Sequence, residues 1–305
     1  MPKKYHGIIL PIVVPIDEHE NVDEAAFRKL IRYSIEGGVD GIFVASSNSE
    51  VMALRPSERD RSIRIALDEC NSEVQVMAGV MDSSTARVLD NVKRLEQMGG
   101  TTAVVTPVFY ARHATPKETI RHFEKITNET DLDILIYNIP IFTGANLKAD
   151  TIVELSKMDH IVGYKDSSGN MAEFMKCLHH FYDNPHFSLF QGATNISAVS
   201  MLMGADGCVP STAALFPRLF AELYKYAKMG DIARVRTLDR IVCEANKIFS
   251  LAKNQTSATK YAVSTLGFFP ERPALPTEPV TADEKNAIDH QVKVVWEMML
   301  KEGIK

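Results

Sequence analysis

Eight short runs rich in apolar and β-branched residues, at 7–14, 41–45, 74–79, 103–106, 134–138, 161–165, 187–191 and 207–211, are separated by longer stretches of helical period. This alternation constrains the fold more than any other feature, because adjacent parallel strands need long crossover connections, usually helices. The stretches 24–36, 57–69, 85–98 and 117–127 repeat apolar residues at helical spacing. Thr115-Pro116-Lys117-Glu118 and Thr281-Ala282-Asp283-Glu284 each set a threonine three residues before a glutamate, the arrangement that satisfies the free donors of a helix start. Eight strand-and-helix units predict an α/β fold, a (β/α)8 TIM barrel over residues 1–225 that carries the active site. Past Pro217 the strand-like runs stop. The segments 218–228, 232–251 and 282–300 read as helices, with a proline-rich joint at 270–279, so residues 226–305 are expected to form a C-terminal helical region.

Composition narrows the function classes. With 45% hydrophobic and 24% charged residues in 305, the chain is an ordinary globular protein with material for a large core. A formal net charge of -5 offers no basic footprint for nucleic acid or an anionic membrane. The apolar run at 7–14 is interrupted by Pro11 and stopped by Pro15, too short for a signal peptide or a span, and a cytoplasmic protein is expected. Cys70, Cys177, Cys208 and Cys243 are scattered without close pairs, which suggests neither a disulfide framework nor a zinc site. Of nine histidines only His179 and His180 are adjacent, on a helical stretch where neighbours point apart, and they read as surface residues; there is no HExxH, so no metal is expected. No GxGxxG or P-loop appears, and no cofactor is expected. The charge run at 55–64 reads as the solvated face of a helix.

In a (β/α)8 barrel the chemistry sits at the carboxyl ends of the strands. Those positions here carry Ser46-Ser47-Asn48-Ser49-Glu50, Thr106-Pro107-Val108-Phe109-Tyr110, Tyr137-Asn138-Ile139-Pro140 and Tyr164-Lys165-Asp166. Lys165 closes the apolar run Ile161-Val162-Gly163-Tyr164, where a partly desolvated amine becomes a nucleophile for carbonyl carbon. The plainer alternative is a lysine that reaches solvent or pairs with Asp166. Tyr137 is suited to acid/base work beside it, or is a core tyrosine with a satisfied hydroxyl. Ser47 and Asn48 offer side-chain and backbone donors for a carboxylate, or simply make a turn.

The segments 7–15 (GIILPIVVP), Gly38-Val39-Asp40-Gly41, Tyr137-Asn138-Ile139-Pro140 with Thr143-Gly144, Lys165-Asp166-Ser167-Ser168-Gly169 and Gly204-Ala205-Asp206-Gly207 together resemble the dihydrodipicolinate synthase/N-acetylneuraminate lyase family of class I aldolases. The resemblance covers essentially the whole chain. It implies a Schiff-base lysine at Lys165, a proton-shuttling tyrosine at Tyr137, and a pyruvate carboxylate on the loop after the second strand. It also implies a homotetramer built as a dimer of dimers, with the loop around Phe109 and Tyr110 at the interface.

Three departures bear on substrate. The second loop of the family reads Gly-Ser/Thr-Thr-Gly-Glu, whereas Ser46 and Ser49 stand at the glycines here, and a changed backbone path is expected. Phe109 stands where the family places a relay tyrosine reaching into a neighbouring subunit, which leaves Tyr110, one place later, a route through Ser47 and water, or a slower or different chemistry. Phe142 stands where dihydrodipicolinate synthases carry an arginine for the second substrate's carboxylate, and Thr194 and Asn195 stand where sialic acid lyases carry an acidic pair. Both of those substrates are therefore disfavoured. The expectation is a lyase joining or cleaving pyruvate and an aldehyde, as in a 2-keto-3-deoxy sugar acid, with Phe142, Ser167, Thr194 and Asn195 lining the aldehyde half and Val209 also among the substrate-binding residues. A Schiff-base dehydratase and a non-catalytic binding homologue are the alternatives.

Overall fold

A computed structural model describes residues 3–305. Eight strands, β1 (Gly7–Pro11), β2 (Gly41–Val44), β3 (Gln75–Gly79), β4 (Thr102–Val105), β5 (Asp133–Asn138), β6 (Ile161–Asp166), β7 (Ser188–Gln191) and β8 (Gly207–Cys208), close into a barrel in chain order. The expected TIM barrel is the observed fold. Every residue of β1, β2, β4 and β7 is buried, as expected of parallel strands covered on both faces. The eighth run is shorter than its sequence suggests. Val209 still donates to the Gln191 carbonyl at 2.8 Å, but Pro210 has no N–H to continue the ladder.

The described residues divide into two compact units, one of residues 3–7 and 76–209 and the other of residues 8–75 and 210–305. The first holds α3 (Thr85–Gln97), α4 (Pro116–Thr127), the single turn α5 (Pro140–Thr143), α6 (Ala149–Leu155), α7 (Met171–His180) and α8 (Ser197–Leu202). Its α4 begins with the predicted capping box of Thr115 and Glu118 and with Pro116 in the first turn. His179 and His180 are exposed on α7.

The second unit holds α1 (Glu24–Glu36), α2 (Pro56–Cys70), α9 (Pro217–Met229), α10 (Ile232–Asn246), α11 (Gln255–Ser264) and α12 (Ala282–Lys301). Here α1 is tied to the start of α9: Tyr33 donates to the Leu215 carbonyl at 2.7 Å, and a Cβ on Gly37 would lie 2.4 Å from Pro217. The helical run expected to reach Leu251 leaves α geometry at Asn246 and continues as a 3-10 turn, Lys247–Ser250. The second capping box holds, with Glu284 N–H donating to Thr281 Oγ1 at 3.3 Å and Thr281 N–H to Glu284 at 2.8 Å. The charge run on α2 is not wholly a solvated face. Glu58 and Arg59 turn inward, Glu58 accepting the Val22 N–H at 2.8 Å and Arg59 pairing with Asp60 at 2.7 Å. Helix α11 was not legible in the sequence: it buries Ser257, Thr259 and Lys260 beside Ala258, Ala262 and Val263, so no apolar stripe marks it.

Candidate active site

In the first unit, strand register brings Tyr137 and Lys165, the two side chains expected to be reactive, together. Tyr137 and Lys165 are direct partners across β5 and β6, so both project from the same face. The Lys165 Nζ lies 3.9 Å from the centroid of the Tyr137 ring. Lys165 is only 4% exposed. Burial disfavours the ammonium and brings its pKa down from 10.5 to about 7, leaving a large fraction of the amine unprotonated and nucleophilic at neutral pH. Asp166, the next residue, points to the other face. Its carboxylate accepts from Asn138 Nδ2 at 2.8 Å, Tyr164 Oη at 3.1 Å and Ser168 Oγ at 2.8 Å, which fixes the turn that follows the lysine.

Two further residues of this unit lie close to the Lys165–Tyr137 pair: Gly192, which sequence reasoning passed over, and Thr106, which it named only as part of a strand-end cluster. A Cβ on Gly192 would fall 2.0 Å from Ser167 Oγ and 3.0 Å from both Lys165 Cε and the Asp166 carbonyl oxygen, so only glycine leaves the lysine its room. That closeness also places Ser167 beside Lys165. The signal was present in Gly192 directly after the seventh run, but a lone glycine there reads equally as a turn. Val105 pairs with Ile136, so Thr106 follows at the level of Tyr137; the Thr106 hydroxyl is buried and has no hydrogen-bond partner among the described residues.

The remaining predicted residues of the unit lie at graded depth. Val209 and Thr194 are buried, Ser167 is half-buried and Asn195 is exposed. Phe142, on α5, is 62% exposed. Tyr110 has a left-handed backbone, φ 70°, and is 97% exposed, so its side chain packs against almost nothing among the described residues.

In the second unit, the loop after β2 is braced from within. The Ser46 and Ser49 hydroxyls lie 3.1 Å apart, and Ser49 Oγ donates to the Ile12 carbonyl at 2.7 Å. Neither serine occupies the left-handed region; the loop residues that do are Ala45 (φ 52°) and Glu50 (φ 54°). Serine at the two family glycine positions therefore introduces no strain at those residues, and the added hydroxyls clip the turn. Asn48 Nδ2 donates to the carbonyls of Pro11 at 3.1 Å and Ser211 at 3.5 Å, so its side chain braces the loop. The Ser47 hydroxyl and the backbone N–H groups of Ser47 and Asn48 donate to no acceptor among the described residues. Consecutive N–H groups of this kind suit a carboxylate. Glu50 is held by a buried ion pair to Lys260 at 2.5 Å and by the Ala274 N–H at 2.7 Å, a connection no sequence pattern announced.

Among the described residues no group of three or more histidine, cysteine, aspartate or glutamate side chains is placed to hold a metal ion. No helix among them is long and apolar enough to cross a membrane.

The chain is similar to known proteins along most of its length. The 4-hydroxy-tetrahydrodipicolinate synthase of Hydrogenobaculum sp. (strain Y04AAS1) is 32% identical over 272 residues, 88% of this chain and 91% of that protein. Dihydrodipicolinate synthase from Bacteroides thetaiotaomicron superposes with a TM-score of 0.91 at 28% identity, covering 96% of this chain and 100% of that one. The chloride-inhibited dihydrodipicolinate synthase from Acinetobacter baumannii, solved in complex with pyruvate, superposes with a TM-score of 0.90 at 25% identity over 95% and 99% of the two chains. With the dihydrodipicolinate synthetase family model matching residues 4–295, the chain belongs to that family and is a carbon–carbon lyase of the aldolase type.

Proposed function

We propose that Lys165 forms a Schiff base with pyruvate and that the enzyme joins pyruvate to, or releases it from, an aldehyde. The observation that carries this reading is the buried Lys165 amine, lowered to about 7 and set 3.9 Å from the Tyr137 ring. The amine attacks the keto carbon to give a carbinolamine, and loss of water leaves an iminium. In the cleavage direction the bond beyond C3 breaks, its electron pair enters the iminium to form an enamine, and the aldehyde departs as its hydroxyl loses a proton. Tyr137 is the group that takes and returns that proton. The Ser47 hydroxyl and the N–H groups of Ser47 and Asn48 receive the carboxylate, a role supported by their lack of protein acceptors. No metal or organic cofactor is required, since the lysine supplies the electron sink.

Phe142, Ser167, Thr194, Asn195 and Val209 read the aldehyde half in this proposal, and an aldehyde derived from a 2-keto-3-deoxy sugar acid fits the absence of a cation at residue 142. The names of the relatives favour a second reading, condensation with an aldehyde that carries its own carboxylate. A panel of neutral and carboxylated aldehydes separates the two. The high exposure of Tyr110 supports a homotetramer in which that side chain completes a neighbouring subunit's site. The first test is intact mass after incubation with pyruvate and borohydride. A reduced pyruvyl adduct is expected on the wild type and not on Lys165→Ala; an adduct that persists on the variant removes Lys165 from the mechanism.

A further inference from the structure

Helix α11, outside the barrel strands, reaches the loop after β2 through the Lys260 side chain. Lys260 is buried, as is Glu50, and their side-chain exposures are 2% and 5%. The Lys260 Nζ sits 2.5 Å from one Glu50 oxygen, and the Ala274 N–H sits 2.7 Å from the other, so both carboxylate oxygens are engaged by the C-terminal region. The elements that present these donors are themselves fixed. Asn254 caps α11 by accepting from the Thr256 and Ser257 N–H groups, Ser257 Oγ donates to the Glu278 carbonyl at 2.6 Å, and the Leu275 N–H donates to Glu20 at 2.8 Å.

Such a pair is a poor device for stability alone, because desolvating two charges offsets most of their attraction and an apolar pair of similar size does as well or better. Its effect on geometry is specific. Glu50 adopts φ 54°, a conformation that a residue with a Cβ keeps only where its surroundings over-determine it. In that conformation its N–H donates to the Ser47 carbonyl at 3.0 Å. The Ser47 carbonyl and the Asn48 N–H belong to one planar peptide, so fixing the oxygen fixes the direction of the N–H on the opposite side. That N–H is one of the donors without a protein acceptor.

We propose that Lys260 is a positioning residue for pyruvate: through Glu50 it orients the Ser47–Asn48 peptide that receives the carboxylate. The inference rests on the reading of that loop as the carboxylate seat. Lys260 touches no substrate, and its removal leaves the Lys165 amine in place.

The experiment measures borohydride-trapped adduct against pyruvate concentration, which requires no knowledge of the aldehyde. Lys260→Met and the double variant Glu50→Gln/Lys260→Met are compared with wild type, with thermal unfolding alongside. The expected result is a half-saturating pyruvate concentration raised about ten- to a hundredfold in both variants, with the trapping rate at saturation little changed. The double variant leaves no uncompensated buried charge and is expected to unfold nearer the wild-type temperature while keeping the weakened saturation. A merely structural lysine lowers the amount of active protein without moving the half-saturating concentration, and unchanged half-saturation in the double variant overturns the proposal. A wild type that forms no adduct at any pyruvate concentration is a different failure: it removes the pyruvate reading itself, and this inference with it.

Discussion

Lys165 owes its chemistry to position. A lysine in water holds its proton to high pH, but this one closes a buried strand and its amine is pushed down to about 7 by desolvation. The trapping rate at pyruvate well below saturation, which reports the free enzyme, should therefore rise with pH through a midpoint near 7, and a profile flat from pH 6 to about 8 would argue against a titrating Lys165 amine. The same shift couples to stability. Between the folded pKa of about 7 and the ordinary 10.5 the unfolded chain binds more protons than the folded one, so this residue's contribution grows as pH rises through that window and is lost as pH falls toward 7. Denaturation of wild type and Lys165→Met at pH 7 and 9 should show the wild type gaining on the variant at the higher pH. Tyr137→Phe should slow turnover by about 10²–10⁴-fold while pyruvate still binds, and a near-normal rate would remove the phenol from proton transfer. Gly192→Ala forces a methyl group against Ser167 and Lys165, and should suppress adduct formation in a protein that still folds.

At the scale of elements, legibility followed periodicity. Strands buried on both faces announce themselves as continuous apolar runs, and α4 and α12 announce their starts by threonine and glutamate at the capping spacing. Replacing Thr281 with alanine should cost about 1 kcal/mol in denaturant unfolding and leave adduct formation unaltered. Helix α11 escaped notice because its buried face mixes polar with small apolar residues: Lys260 is buried by pairing with Glu50, 210 residues away. The inward turn of Glu58 and Arg59 escaped for the same reason, since a charge is buried only with partners supplied by other parts of the fold.

For the whole molecule, the exposed Tyr110 is the feature that one chain leaves unexplained. If it completes a neighbour's site, a mixture of Tyr110→Ala and Lys165→Ala proteins, dissociated and reassembled, should regain turnover that neither variant shows alone. Sedimentation should report four chains. A monomer of full activity would confine catalysis to residues of a single chain.

The barrel, the family and the place of Lys165 at a strand's end were legible in the sequence, because each depends on local pattern: apolar runs, their spacing, and a polar residue at a run's end. The tertiary structure alone decided what lies around that lysine. Register set Tyr137 against it, burial lowered its pKa, and the fold made Gly192 obligatory. It also decided that serines at the two glycine positions close the second loop by hydrogen bonds, and that Lys260 holds Glu50 beneath it. Electrostatics and close packing depend on distances between residues far apart in the chain, and a sequence carries those distances only through the fold it adopts.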